Sequence, residues 1–296
     1  MHKKFLALAL ALMIAVCSLT LGSCSDKAEY PVTVDGVNIN AEPQNIVVLD
    51  KNLADIIICI GYVEKLAGRS DDVNQKGMHV VPSVGKADEA DAASIKKLKP
   101  DVVLADNKLS KKSASALVKS GIPVIRINKV HIPKELKKVY EKIGEVLGGR
   151  FSGRAKAKKA YKDLYEDLTD IKDIISDKKI VKTVCYLYSD DGEIKTLVGG
   201  KWEAQVLGFT GAVNVFGSFN KEKLDLKKLA VSNPDFIFCD NKKIIKKLNG
   251  IKKLKKLSAL KNNTHVIKFD EISMQGDTAL EALEKMLRHM YPEDFK

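Results

Sequence analysis

One stretch of this chain occurs twice, and the repeat limits the fold more than any other feature. Residues 95–108 read IKKLKPDVVLADNK and residues 226–242 read LKKLAVSNPDFIFCDNK. Pro100-Asp101 matches Pro234-Asp235 and Asp106-Asn107-Lys108 matches Asp240-Asn241-Lys242, both at an offset of 134 residues. Each copy is a helix end, a Pro-Asp turn, a short apolar run and a polar tip. With 50 Lys+Arg in the chain a shared LKK carries no weight. Turn, strand and tip agreeing at one offset predict two similar α/β lobes. In open α/β sheets ligands bind beyond the carboxyl ends of the strands, which makes the two polar tips candidate lips of a cleft.

The rest of the body has the same texture. Apolar runs such as Ile46-Val47-Val48-Leu49, Val102-Val103-Leu104-Ala105 and Pro123-Val124-Ile125 alternate with segments of helical period, such as Leu53 to Leu66 and Ala114 to Ser120. That alternation implies parallel strands with crossover helices. Between the copies, residues 133–178 carry no strand signal and are broken at Gly148-Gly149 and Gly153. From Arg154 to Ile175 the apolar residues Tyr161, Leu164, Tyr165, Leu168, Ile171, Ile174 and Ile175 keep helical intervals, predicting a helix of about 22 residues and about 33 Å. Such a helix spans two lobes rigidly. Ahead of the body, Tyr30 to Ile39 alternates around Asp35-Gly36, a hairpin turn signal.

The N-terminus has a different purpose. Lys3 and Lys4 precede an apolar run from Phe5 to Val16 and then small residues up to Cys24. This is a secretion signal, too short for a membrane span, and no other segment is long and apolar enough. Leu21-Gly22-Ser23-Cys24 resembles the lipobox at which a bacterial lipoprotein is cleaved and acylated on its new N-terminal Cys. Two or more acyl chains hold a protein stably on a membrane. The expected organisation is a leader (1–23), a tether and hairpin (24–43), a first lobe (44–148), a connecting helix (149–178) and a second lobe (179–296). Losing Lys3 and Lys4 takes the formal net charge from +12 to +10. Cys59, Cys185 and Cys239 each sit in apolar surroundings without CxxC or Cys/His spacing and read as buried thiols.

Several stretches, in order, resemble the substrate-binding proteins that feed iron-complex and cobalamin ABC importers. They are Pro43-Gln-Asn-Ile-Val-Val-Leu49, Leu66-Ala-Gly-Arg-Ser-Asp71, Val81-Pro-Ser-Val-Gly85, Leu98-Lys-Pro-Asp-Val-Val-Leu104, Ser120-Gly-Ile-Pro-Val124, Asn233-Pro-Asp235 and Met290-Tyr-Pro-Glu-Asp-Phe295. No one piece is diagnostic; their order and spacing over residues 43–296 carry the likeness. The resemblance implies an α/β protein of two Rossmann-like lobes joined by a single long helix, a ligand between the lobes and little hinge motion. The family carries a Glu on each lobe, seven residues before the Pro of the Pro-Asp turn, to dock on permease arginines. Here those positions are Ala93 and Lys227, and the nearest acids are Asp91 and Asp225, again 134 apart. They are the candidate docking residues, with a helix N-terminal acid as the alternative reading.

Candidate ligand-binding residues follow the strands. The first lobe offers Lys51, Asn52, Arg69, Ser70, Asp71, Lys86, Asp88, Asn107 and Lys108. The second offers Tyr188, Lys201, Trp202, Phe219, Asn241, Met274 and Gln275. Trp202, the single tryptophan, follows Gly199-Gly200 where the resemblance places the ligand; it is read either as a stacking wall or as core. Arg69 is one of five arginines in a chain that otherwise uses Lys, and its planar fork suits an anionic chelate or a phosphate, or else a surface ion pair.

The histidines argue against a bare-metal site. Zinc or manganese needs three or four converging ligands, whereas His79, His131, His265 and His289 are scattered. Haem stays open as a ligand, with Met78, His79 and Met274 as axial candidates. No GxSxG, Walker, GxGxxG or HExxH motif offers a seat for catalysis, so the chain is not expected to be an enzyme or to hold a cofactor. A chelatase-like enzyme of the same architecture would need converging acid/base histidines. The basic run Lys242 to Lys256 is read as a solvated helix face leaning toward anionic lipid, not as a nucleic-acid site. The expectation is thus a monomeric, extracytoplasmic lipoprotein anchored to the cell membrane. Its partners would be a small metal chelate (ferric siderophore, corrinoid or haem) and an ABC permease. The alternative is a surface binding or sensor protein that kept the fold and lost the importer.

Overall fold

A computed structural model describes residues 28–176 and 181–295. The leader and Cys24 lie outside the described residues. The first described element is a hairpin of β1 (Val32–Val34) and β2 (Val37–Ile39), turning through Asp35 at φ 48° and Gly36 at φ 79°. Two successive left-handed residues make the tight turn that an Asp-Gly pair favours.

The first lobe is built from β3 (Ile46–Val48), α1 (Lys51–Ile60), β4 (Leu66–Arg69), α2 (Ala92–Lys97), β5 (Val102–Ala105), α3 (Lys111–Lys119) and β6 (Val124–Arg126). Its strands lie in the order β4-β3-β5-β6, all parallel. A long helical hairpin follows, α4 (Pro133–Gly148) and α5 (Arg154–Ser176), joined by one π-helical turn at Gly149–Gly153. The second lobe contains β7 (Thr183–Asp190), β8 (Glu193–Thr196), α6 (Trp202–Gly208), β9 (Val213–Asn214), α7 (Leu226–Ser232), β10 (Phe236–Cys239), α8 (Lys242–Asn249), α9 (Ser258–Asn262), β11 (Thr264–Val266), α10 (Phe269–Ile272) and α11 (Asp277–Met290). Its sheet runs β11-β10-β7-β8, with β9 also on β7; β8 is antiparallel and the others parallel.

The sequence repeat has a physical cause. Asp101 Oδ2 accepts hydrogen bonds from the backbone N–H of Gln44 (2.7 Å) and Asn45 (2.8 Å), just before β3. Asp235 Oδ2 accepts from the Thr183 N–H (2.7 Å) and hydroxyl (2.8 Å), at the start of β7. In each lobe the Asp after Pro therefore sets the entry of the neighbouring strand.

Strand residues divide by period two between cores. Ile46, Val48, Val102 and Leu104 join Tyr186, Phe238 and the inner face of α11 in one hydrophobic cluster that runs through both lobes. Val47, Leu49, Val103 and Ala105 pack under α2 and α3, and Cys185, Leu187, Ile237 and Cys239 pack with α7, α8 and α9. Both sheets are covered on two faces, which is why their central strands read as unbroken apolar runs.

The 23-residue helix α5, about 35 Å long, links the lobes. Helix α4 folds back antiparallel against it: Tyr140 meets Tyr161 edge to face at 5.6 Å, and Arg154 reaches Glu141 at 2.9 Å. A Cβ on Gly144 would lie 2.3 Å from the Gly153 carbonyl oxygen, so the close crossing requires glycine. Glu29 clamps the turn from outside, accepting from the Phe151 N–H at 2.8 Å and the Ser152 N–H at 3.0 Å. No helix among the described residues is long and apolar enough to cross a membrane.

Candidate functional site

The carboxyl ends of both parallel sheets face one cleft, and side chains from the two lobes meet across it. Lys51, in the first turn of α1, places Nζ 2.6 Å from Asp270 Oδ2 on α10. Asn52 Nδ2 donates to Gln275 Oε1 at 3.0 Å, and Gln275 Nε2 donates to the Val130 carbonyl. Asp55, one turn further along α1, accepts from the Thr278 N–H and hydroxyl at the start of α11. The first lobe thereby caps the last helix of the second.

Three cavities open here. One of about 550 Å3 is lined by Lys51, Asp55, Gln75, Lys268, Asp270 and Met274 among others. Asp55 is 2% exposed, and burial pushes its carboxyl up to about 7 although the Thr278 hydrogen bonds pull it down. Among the described residues the buried oxygens Asn52 Oδ1, Asp55 Oδ2 and Gln75 Oε1 have no hydrogen-bond partner. Asp55 and Gln75 line this cavity, so it carries acceptors that a ligand with donor groups would satisfy.

A second cavity, about 320 Å3, is lined by Lys129, His131, Tyr188, Leu197, Lys201, Glu222 and Phe269. Tyr188 and Phe269 stack with centroids 4.4 Å apart, and Lys201 pairs with Glu222. Burial works to raise the Glu222 carboxyl, but the hydrogen bond and charge of Lys201 outweigh it and hold it low. The third, about 530 Å3, lies in the first lobe between Asp71, Asp72, Lys86, Asp88 and Lys108. Lys108 reaches Asp106 at 3.4 Å and Asp50 at 3.9 Å; burial lowers its ammonium, and the two carboxylates more than reverse that.

The structure thus brings Lys51 and Met274 to one cavity, Tyr188 and Lys201 to another, and Asp71, Lys86, Asp88 and Lys108 to a third. Asn107 is exposed beside them at the tip of β5. Other candidates have structural work. Trp202 is 1% exposed and its indole N–H donates to the Met274 carbonyl, so it is core and not a stacking wall. A first-turn helix position facing the shared core overrides its nearness to Gly199-Gly200.

Gln275 is fully buried in the bonds between lobes, and Ser70, also fully buried, donates to Asp72. Asn52, 4% exposed, is held by Gln275. The Arg69 guanidinium is tied to the carbonyls of Met78 and Ser70. Phe219 packs on Phe216 at 5.6 Å, and Asn241 caps α8 by accepting from the Lys243 and Ile244 N–H groups. Met78 is 3% exposed, which removes it as an axial candidate.

Lys129, Glu222, Phe269, Asp55 and Gln75 line the cleft without having been singled out in the sequence, and His131, read there only as one of the scattered histidines, lines it too. Phe269 follows β11, whose Thr-His-Val core gives no strand signal, while Asp55 sits inside an apolar helix where a lone acid was itself a usable sign. Among the described residues no group of three or more His, Cys, Asp or Glu converges as a metal site, and Cys59, Cys185 and Cys239 are free thiols. The proposed docking acids are exposed N-caps. Asp91 accepts from the Ala93 and Ser94 N–H groups and Asp225 from those of Lys227 and Lys228.

Solved structures share the fold. A possible iron-binding, periplasmic solute-binding protein from Staphylococcus epidermidis is 19% identical, with 85% of this chain and 100% of that chain covered and a TM-score of 0.70. The periplasmic heme binding protein of Vibrio cholerae is 18% identical over 84% and 99% of the two chains, TM-score 0.70. The periplasmic vitamin B12 binding protein of Vibrio cholerae is 19% identical over 86% and 99%, TM-score 0.59. No curated protein matches the sequence significantly. The family model described as periplasmic binding protein, a class of solute-binding proteins and not of enzymes, matches residues 46–271. Two parallel-sheet lobes, a linking helix and a cleft at the strand ends accompany that match, and the chain belongs to the periplasmic binding protein family.

Proposed function

We propose that this protein is a lipid-anchored extracytoplasmic receptor that captures a metal chelate between its lobes and delivers it to an ABC importer. The chelate classes are ferric siderophores, corrinoids and haem. The observation that carries this reading is the polar cleft at the carboxyl ends of two parallel sheets, with lysines and an aromatic pair on its walls. Lys51, Lys129 and Lys201 supply the cations an anionic chelate calls for, and the stacked Tyr188–Phe269 pair supplies a flat apolar face. Iron-, heme- and vitamin B12-binding proteins of the same fold support it. Acylation of Cys24 after removal of residues 1–23 would provide the anchor, and Asp91 and Asp225 would meet permease cations.

The test is titration of the purified protein with ferric siderophores, haem and corrinoids in separate series. Trp202 donates to the carbonyl of Met274, which lines the larger cavity, so its emission reports a coloured ligand through energy transfer. Saturable quenching by one class names the ligand. Absence of binding by all three, confirmed by calorimetry, overturns the reading. The sensor alternative is favoured by Lys227 at a position where the resemblance expects Glu. It predicts ligand binding with no change in cellular uptake when the gene is deleted.

A further inference from the structure

The positive charge of this protein is not spread over its surface. Residues 242–261 contain nine lysines and no Asp or Glu, against a net charge of +10 for the whole chain after Lys3 and Lys4 are removed. The remainder of the molecule is therefore close to neutral.

The same segment has an apolar inner edge. Ile244 and Leu248 of α8, then Leu254, Leu257 and Ala259, are buried in the core beneath the second sheet. All nine lysines are exposed as a result. Because α8, the turn at Lys252–Leu254 and α9 pack on one another and share that core, the lysines form one continuous surface. It continues onto α7, which packs against the turn and carries Lys227 and Lys228.

Among the described residues none of the nine makes an ion pair. The one polar contact made by their ammonium groups is that of Lys247 Nζ with the Gly192 carbonyl, at 3.4 Å. Like charges crowded without counter-charges repel one another and cost stability, a cost that an anionic partner offsets.

We propose that this lysine surface of the second lobe is a docking face for anionic phospholipid headgroups, holding the folded body flat against the membrane. A bilayer surface fits for two reasons. The nine lysines are exposed over three packed elements while Ile244, Leu248, Leu254 and Leu257 are turned inward; a cavity between α8 and β11 is rimmed by Lys242 and Lys246 themselves, and residues 242–268 contain no Phe, Tyr or Trp on which a base could stack. Glu29, the first residue with a tertiary contact among the described residues, lies five residues after Cys24, so even a fully extended link would keep it within about 17 Å of an acyl anchor. That second reason rests on the proposed anchoring; the first does not. Clusters of this size add attraction with each lysine near the headgroups and lose it when salt screens them.

The experiment uses the chain from Ser25, which carries every described element and lacks the Cys24 that would be acylated. Failure of the anchor and failure of this surface are then separate results. Sedimentation with vesicles of phosphatidylglycerol and phosphatidylcholine is compared with sedimentation with phosphatidylcholine alone. The expected result is at least tenfold stronger binding to the anionic vesicles, reversed by raising salt from about 50 to 500 mM. Lys246→Glu, Lys247→Glu, Lys252→Glu and Lys253→Glu combined should lower it at least tenfold; the corresponding Gln variant should lower it less, with a melting temperature no lower than the parent's. Equal binding to neutral vesicles, or anionic binding that survives the Glu variant, overturns the proposal. So does tighter binding to a soluble oligonucleotide than to anionic vesicles in the same salt, which would indicate nucleic acid.

Discussion

Lys51 and Asp270 touch across the two lobes at 2.6 Å, with Lys51 side chain 24% and Asp270 side chain 71% exposed. An ion pair so open to water contributes less than about 1 kcal/mol to stability. Lys51→Ala should leave the melting temperature almost unchanged and weaken an anionic chelate by about tenfold, measured by titration. A large loss of stability with intact affinity would make Lys51 a structural bridge instead of a ligand contact.

Asp55 should make the protein sensitive to pH. In an unfolded chain an Asp titrates near 4, whereas burial holds this one at about 7 in the folded protein. Between those values the folded form keeps a proton that the unfolded form has lost, so stability falls as pH rises from about 4 to about 7. Asp55→Asn preserves an acceptor for Thr278 and removes the titration. It should match the parent below about pH 4 and exceed it by about 2–4 kcal/mol at pH 8, as denaturant midpoints at the two ends of that range will report.

Trp202→Ala should cost about 3–5 kcal/mol of stability by leaving a large cavity. Trp202→Phe should cost less and keep ligand affinity within a few-fold. Affinity lost in the Phe variant while urea unfolding stays normal would return Trp202 to the ligand site.

Asp91 and Asp225 each cap a helix, so substitution by Ala would confound loss of the cap with loss of the proposed docking charge. Ser retains the cap and removes the charge. The double variant Asp91→Ser, Asp225→Ser should melt near the parent temperature, bind ligand normally and abolish uptake by cells. Uptake at the parental rate would leave both residues as caps alone.

Cys24→Ser should release the protein into the fraction that no longer sediments with membranes after a high-salt wash. The wash matters, because the lysine surface would hold an unacylated protein at low salt.

Backbone architecture was more legible in the sequence than the site. The repeat identified two lobes because Asp101 and Asp235 do the same local work, and local work leaves a local mark. The helix expected from Arg154 appeared as α5, but its antiparallel pairing with α4 was not foreseen, since a glycine signals a break as readily as a close crossing. Lys51 and Lys108, polar groups that follow apolar runs, line cavities as their place after a strand implies. Phe269 escaped because the strand before it is short and half polar, and Trp202 misled because rarity and position say nothing about which way a ring turns.

A cluster of apolar side chains shared by both lobes also limits what a permease can sense. Prising the lobes far apart would wet that cluster, so loaded and empty forms should have nearly the same outline, and scattering profiles recorded with and without ligand should superimpose. A transporter docking on such a body cannot recognise its cargo by a jaw snapping shut. On the proposed reading it would sense the rim, where a bound anionic chelate would compete with Asp270 for Lys51.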